Sequence, residues 1–283
     1  MGTCNAGAKK VGVHGQLPGG GLYVFFKRLV ELILSPVTFV FVFDGPERPN
    51  FKRGHEVRHK KVWWTNLAIE LIQHFGQVVH QVSLFTVDFL SLFFSHYLFA
   101  KAPGEAEAEL ARLNTEGYID AVITSDGDTY VFGANCVLRT IYQKAKNHPD
   151  EYILYRSQTR QPYTRGGLIL FALLTGGDYD TGLHRCGPGS AIALAKCGFG
   201  DQLIDAFEHL NGPDFDRFLI QWCCNIRAEL HSNSRGHLER CQPKLAMDIP
   251  DTFPERRTLE LYINPVTSWR IFGKVYFYRW SIL

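Results

Sequence analysis

Residues 1–43 contain no aspartate, and residues 1–21 contain no acidic residue at all. Any carboxylate chemistry must therefore begin further along the chain. Seven cysteines form an odd set with no C-x-x-C spacing, which argues against both a disulfide framework and a zinc site and fits free thiols in a reducing compartment. Net charge is only +2, a value that neither demands nor forbids nucleic acid, because a local basic patch matters more than the sum. An unbroken membrane-spanning run is also missing. The apolar stretch from Leu84 to Ala100 is interrupted by Asp88, Ser91, Ser95 and His96, so no membrane partner is expected. The start MGTCNAGAKK has no apolar h-region, and Ala6 stands where a myristoylation signal needs Ser or Thr, so neither secretion nor acylation is expected. What remains is an ordinary globular balance, 46% hydrophobic and 20% charged over 283 residues, enough for one α/β domain with an appended helical region.

The acids that are present concentrate between Ala102 and Ala134. Ala-Pro-Gly followed by Glu105, Glu107 and Glu109 predicts a helix opening, with acids near the positive end of the dipole. Ala121 to Thr124 predicts a short strand buried on both faces, and it runs into Asp126-Gly127-Asp128. Earlier, Leu22 to Leu34 has apolar residues at helical spacing. Ser35-Pro36 ends that pattern, and Thr38 to Phe43 reads as a strand ending in Asp44-Gly45-Pro46. Beyond the carboxyl ends of parallel strands is where ligands bind in open α/β sheets, which would make Asp44, Asp126 and Asp128 neighbours. Asp-Gly-Pro is equally ordinary turn chemistry.

Asn50 to Lys61 is the densest basic run, with Lys52, Arg53, Arg58, Lys60 and Lys61. It suits phosphate contact, and it also suits a solvated helix face. Val62 to Gly76 predicts a helix with Trp63, Leu67, Ile69, Leu71, Ile72 and Phe75 in the core. Residues 77–101 show no clear period and read as an insert. Val137 to Tyr142 and Tyr152 to Tyr155 predict strands, and Gly166 to Thr175 a buried helix running into Gly176-Gly177-Asp178. Gly187-Pro188-Gly189-Ser190 then opens a small-residue helix whose N-terminus could face a nucleic-acid phosphate, or form an ordinary helix hairpin. Two or three amphipathic helices follow from Gly200 to Leu230, and prolines divide residues 236–283 into what reads as an irregular extension.

Asp44, Glu105, Glu107, Asp126, Asp128 and Asp178, with no His or Cys among them, suit a hard cation with oxygen ligands, magnesium or manganese. Two such ions roughly 3.5–4 Å apart can activate water and stabilise a leaving oxygen of a phosphodiester. Each acid taken singly is also explained as a helix-start or turn residue.

In order along the chain, FVFDG, KRG, APGEAEAE, SDGDTYVFGA and GGDYDTGLHRCGPGSAIALAK resemble the flap endonuclease/XPG superfamily of structure-specific 5′ nucleases. FDGP-x-RP-x-FKRG and the later NPVTS at Asn264 look most like its Holliday-junction resolvase branch. The resemblance implies a PIN-like α/β/α sandwich with a mainly parallel sheet over residues 22–175, preceded by an arm at 1–21. It implies a helix-two-turn-helix with following helices over 176–235. It implies a two-ion magnesium site, for which manganese can substitute, built on Asp44, Glu105, Glu107, Asp126, Asp128 and Asp178. Lys52 falls near a family lysine that contacts the scissile phosphate. Lys52, Arg53, Arg58, Lys60 and Lys61, with Gly187, Gly189 and Ser190, would contact branched double-stranded DNA such as flaps and four-way junctions. The activity implied is Mg2+-dependent endonucleolytic cleavage in repair and recombination, in the nucleus, with dimerisation on a junction as one arrangement. Three departures stand out. The family's first-strand aspartate has no counterpart in residues 1–43, residues 77–101 replace a short connection with a long apolar insert, and in the hairpin Arg185 stands where Gly is usual and Gly189 where Lys is usual. The first of these implies an alternative, a DNA-binding relative with impaired catalysis.

Overall fold

The computed structural model describes residues 20–52, 55–56, 63–80, 102–141, 151–157 and 163–269. The chain divides into two compact units, one comprising Met1–Arg48, Arg58–Glu109 and Thr267–Val275, the other Pro49–Val57, Leu110–Val266 and Tyr276–Leu283.

In the first unit, α1 (Gly20–Ile33) is followed by β1 (Val40–Val42), α2 (Thr65–His74) and β4 (Val78–His80). β1 and β4 are parallel, with Phe41 opposite Val79. Pro36 disfavours helical geometry at Ser35, and the chain turns there into β1. Leu29, Phe43, Ile69 and Ile72 form the core of this unit, with Phe25, Ile33, Phe41, Leu71 and Val79 packed around them. Burying each such side chain contributes about 1.5–3 kcal/mol. Two expectations change. Val78–His80 is a strand rather than part of an insert, and the rest of 81–101, including the apolar run at Leu84, lies outside the described residues. In α2 the buried stripe is Thr65, Ala68, Ile69 and Ile72, with Trp64 just before it, whereas Trp63, Leu67 and Phe75 are exposed. Starting the helix at Thr65 turns a 3.6-residue period onto those positions.

The second unit holds the hairpin β2 (Phe51–Lys52) and β3 (His55–Glu56) and a three-stranded sheet of β5 (Val122–Ile123), β6 (Cys136–Ile141) and β7 (Glu151–Arg156). β5 pairs parallel with β6, and β6 pairs antiparallel with β7. Val122 is buried while Ile123 is exposed, so β5 is covered on one face only. Helix α3 (Ala106–Thr115) begins in the first unit and runs on into the second. There the buried Asn114 accepts the N–H groups of Asn135 and Cys136 at 2.7 and 2.9 Å, fixing the start of β6.

The remaining helices are α4 (Asp128–Val131), α5 (Arg165–Thr175), α6 (Pro188–Lys196), α7 (Phe199–His209), α8 (Gly212–Ser232), α9 (Pro243–Asp248) and α10 (Arg256–Ile263). α5 packs on α6 and α7, and α8 packs on α7 and α9. The Thr164 hydroxyl caps α5 by accepting from Gly167 N–H, and the Asn211 side chain caps α8 by accepting from Asp214 N–H. Trp222 of α8 is buried and donates its indole N–H to Phe199 O at 3.0 Å. Residues 236–269 are not irregular, as the prolines suggested. Pro243 occupies the first turn of α9, where its missing N–H costs nothing. No helix among the described residues is long and apolar enough to cross a membrane. The described cysteines are free thiols, and burial pushes those of Cys186 and Cys223 up to about 11.

Candidate active site

Asp44 is positioned by backbone. Past β1, Phe43 O accepts from Ala102 N–H at 3.1 Å, Gly45 N–H donates to Gly104 O at 2.7 Å, and Glu47 N–H donates to Pro103 O at 2.9 Å. This pairing explains why α3 starts at Ala106 and not at Pro103. It also requires glycine at 45, because a Cβ there would lie 1.6 Å from Ala102 O. Asp44 Oδ1 accepts from Ala106 N–H at 3.1 Å, so its carboxylate sits at the positive end of α3, and Oδ2 accepts from Arg48 Nη1 at 2.7 Å. Glu105, the residue before Ala106, is buried, and Glu107 is half-buried. The structure thus brings Asp44 to the head of the helix that carries Glu107. Its bonded partner is 62 residues away, more than turn chemistry would require.

In the second unit, Asp126 and Asp128 are held locally. Asp126 N–H donates to Thr124 Oγ1, and Asp126 Oδ1 accepts from Asp128 N–H, both at 3.0 Å. Asp128 is the first residue of α4. Asp178, after the stop of α5 at Gly176, accepts from Lys52 Nζ at 2.8 Å, and the same ammonium lies 5.9 Å from the Tyr179 ring centroid. Lys52 therefore meets a carboxylate and an aromatic face here.

Tyr262 is the residue that sequence reasoning missed. It is fully buried on α10, a helix that was not expected, and its ring lies 4.7 Å from that of Tyr179. A Cβ on Gly177 would lie 2.3 Å from its hydroxyl, so Gly177-Asp178 and Tyr262 are packed tightly together. Burial, and then the Asp128 and Asp178 carboxylates, push the Tyr262 phenol above its ordinary value, while the Tyr179 backbone opposes the shift. Arg165 holds the end of α10 by donating to the carbonyls of Tyr262 and Ile263 at 3.2 and 3.0 Å. Arg48, four residues after Asp44, was also missed, and its i, i+4 spacing from Asp44 was the available signal.

The α5–α6 connection carries the expected DNA contacts Gly187, Gly189 and Ser190. Gly187 is the extended N-cap of α6, with no side-chain cap, and both glycines are exposed. The departures noted in sequence have structural counterparts. Arg185 has φ 66°, the left-handed conformation that glycine adopts at little cost, whereas a Cβ at Gly189 would meet nothing within 4 Å. Arg53, Arg58, Lys60 and Lys61 lie outside the described residues.

The donor chemistry fits a hard divalent cation, since every candidate offers carboxylate oxygen. Among the described residues, no three His, Cys, Asp or Glu side chains are gathered as a finished metal site, and Asp44 and Asp178 are engaged by Arg48 and Lys52.

Residues 98–178 match the XPG I-region family. Flap endonuclease GEN homolog 1 of Homo sapiens is 34% identical over 66% of this chain and 20% of its own length. Holliday junction resolvase YEN1 of Saccharomyces cerevisiae is 25% identical over 69% of this chain and 31% of its own. The chain thus spans a third or less of these relatives. A crystal structure of the Holliday junction-resolving enzyme GEN1, in complex with product DNA and Mg2+, superposes with a TM-score of 0.66 at 28% identity, covering 94% of this chain and 56% of that one. Its fold is the PIN-like α/β architecture. The matched XPG I-region spans Glu105, Glu107, Asp126, Asp128 and Asp178, so the chain carries the I-region of the flap endonuclease/XPG superfamily.

Proposed function

We propose that this chain is a magnesium-dependent, structure-specific DNA endonuclease that cuts 5′ flaps or four-way junctions in nuclear repair and recombination. The observation that carries the reading is Asp44 bonded to Ala106 at the head of α3, between Glu105 and Glu107, within a chain that matches the XPG I-region. Its proposed oxygen donors are Asp44, Glu105, Glu107, Asp126, Asp128 and Asp178, for two ions. When bound, magnesium would supply an activated water and charge neutralisation at the phosphodiester.

The protein's own groups do the rest. Arg48 and Lys52 orient the Asp44 and Asp178 carboxylates through ion pairs of 2.7 and 2.8 Å. If Asp44 and Asp178 held a metal, Arg48 and Lys52 beside them would each offer a cation to substrate phosphate. The exposed α6 N-terminus at Gly187–Ser190 supplies backbone N–H groups for a duplex phosphate.

A second reading is favoured by one observation, the lack of any aspartate in residues 1–43. It holds that the chain binds branched DNA and does not turn over. Labelled 5′-flap and four-way-junction substrates, incubated with purified protein and Mg2+, separate the two. The nuclease reading predicts cutting that is lost with EDTA. Salt-dependent binding with all substrate left intact would replace it with the second reading.

A further inference from the structure

We propose that Ser268 and Glu109 form a positioning pair that fixes the first turn of α3 and, through it, the orientation of Glu105 and Glu107. Glu109 is completely buried, and so is Ser268. Ser268 N–H donates to one Glu109 carboxylate oxygen at 2.9 Å, and the Ser268 hydroxyl makes a short bond to the other. Both oxygens of one buried carboxylate are thus held by a single residue 159 positions away.

The helix geometry makes the consequence local to the acids. Glu109 lies one turn below Glu105 on the same face, and its N–H donates to Glu105 O at 3.2 Å, tying the two residues along the backbone. The N-terminus of the same turn is fixed by Asp44 Oδ1 on Ala106 N–H. Glu105 and Glu107 therefore lie between two long-range anchors, one at each end of a single helical turn. An apolar side chain would fill the space around Glu109 at less desolvation cost, so burying a hydrogen-bonded carboxyl group there contributes specificity of orientation rather than simple packing. Ser268 belongs to the Asn264-Pro265-Val266-Thr267-Ser268 segment, which gives that motif a task at the acids.

This inference rests on the nuclease reading for its purpose, and the test separates the two. The full chain carrying Ser268→Ala or Glu109→Gln is compared with Ser268→Thr, which keeps both donors, and with Ile226→Val, a buried truncation in α8. Hydrogen exchange over residues 104–110 and Mn2+ affinity, read from the electron paramagnetic resonance signal of free Mn2+, are both measured. Ser268→Ala should speed exchange in that turn, leave α8 unchanged and weaken Mn2+ binding about 10-fold, as loss of a partner behind a metal ligand does. Ser268→Thr should restore both. Exchange over 104–110 that is unaltered in Ser268→Ala overturns the pairing, and so does equal weakening of Mn2+ binding by Ile226→Val. A wild-type chain that binds no Mn2+ overturns the nuclease reading instead, and exchange still judges the clamp.

Discussion

The two groups of carboxylates are held in opposite ways. Asp44 is fixed by three backbone hydrogen bonds between residues 43–47 and 102–104 and by its own bond to Ala106 N–H. Asp126 and Asp128 are fixed by bonds spanning only two residues. Long-range backbone pairing sets a position almost regardless of the side chain it carries. A local Asx turn depends on the acid itself, because Asp126 Oδ1 is the acceptor that shapes it. Substitutions should therefore disturb the first group through its glycine and the second through its aspartates.

The sharpest break in that comparison is a pair of glycine substitutions. Gly45→Ala forces a methyl into Ala102 O and should cost about 3 kcal/mol or more. Gly127→Ala, where a Cβ meets nothing within 4 Å at φ −76°, should stay within about 1 kcal/mol of wild type, as thermal melts of both variants beside wild type would show. Equal losses at the two glycines would remove the distinction between backbone-held and turn-held acids.

Tyr262 sharpens the second group. Its folded pKa is raised above the ordinary 10.0, so the stability it contributes is fully present below pH 10 and is lost as pH rises through the higher folded value. Urea melts at pH 9 and 11 should show a decline steeper for wild type than for Tyr262→Phe, by on the order of 1 kcal/mol. Parallel declines would mean that the phenol titrates alike in both states.

Two smaller effects concern the α5–α6 connection. Arg185→Gly removes a left-handed non-glycine residue and gives up an exposed contact with Asp248, for a net gain of about 1 kcal/mol in chemical denaturation. Gly189→Lys adds a cation where there is open space. It should tighten duplex binding and steepen the salt dependence of log K by about 1, measured by fluorescence anisotropy across a salt series.

Much of this was legible in the residues. APGEAEAE and SDGD named the acids, and helix periodicity placed α1 and α5 within a few positions and read Gly200 to Leu230 as two or three helices. The phase of α2 was not legible, since Trp63 and Trp64 are equally apolar and only the start of the helix decides which is buried. The strand at Val78–His80 was hidden because its partner, β1, lies 38 residues earlier. Pro243 and Pro254 read as breakers when one of them begins a helix, and so Tyr262 and Ser268 were missed. Contacts of this kind join chain segments from 38 to 159 residues apart, which no local pattern records.

We propose that these carboxylates serve metal-dependent cleavage of DNA. The most direct measurement is the Mg2+ dependence of 5′-flap cleavage by wild type and Asp126→Asn, a change that keeps the turn acceptor and removes the charge. The account predicts cleavage by wild type that rises with Mg2+ and falls at least about 100-fold in the variant. Identical rates for the two proteins, or no cleavage by wild type at any Mg2+ concentration, would contradict it.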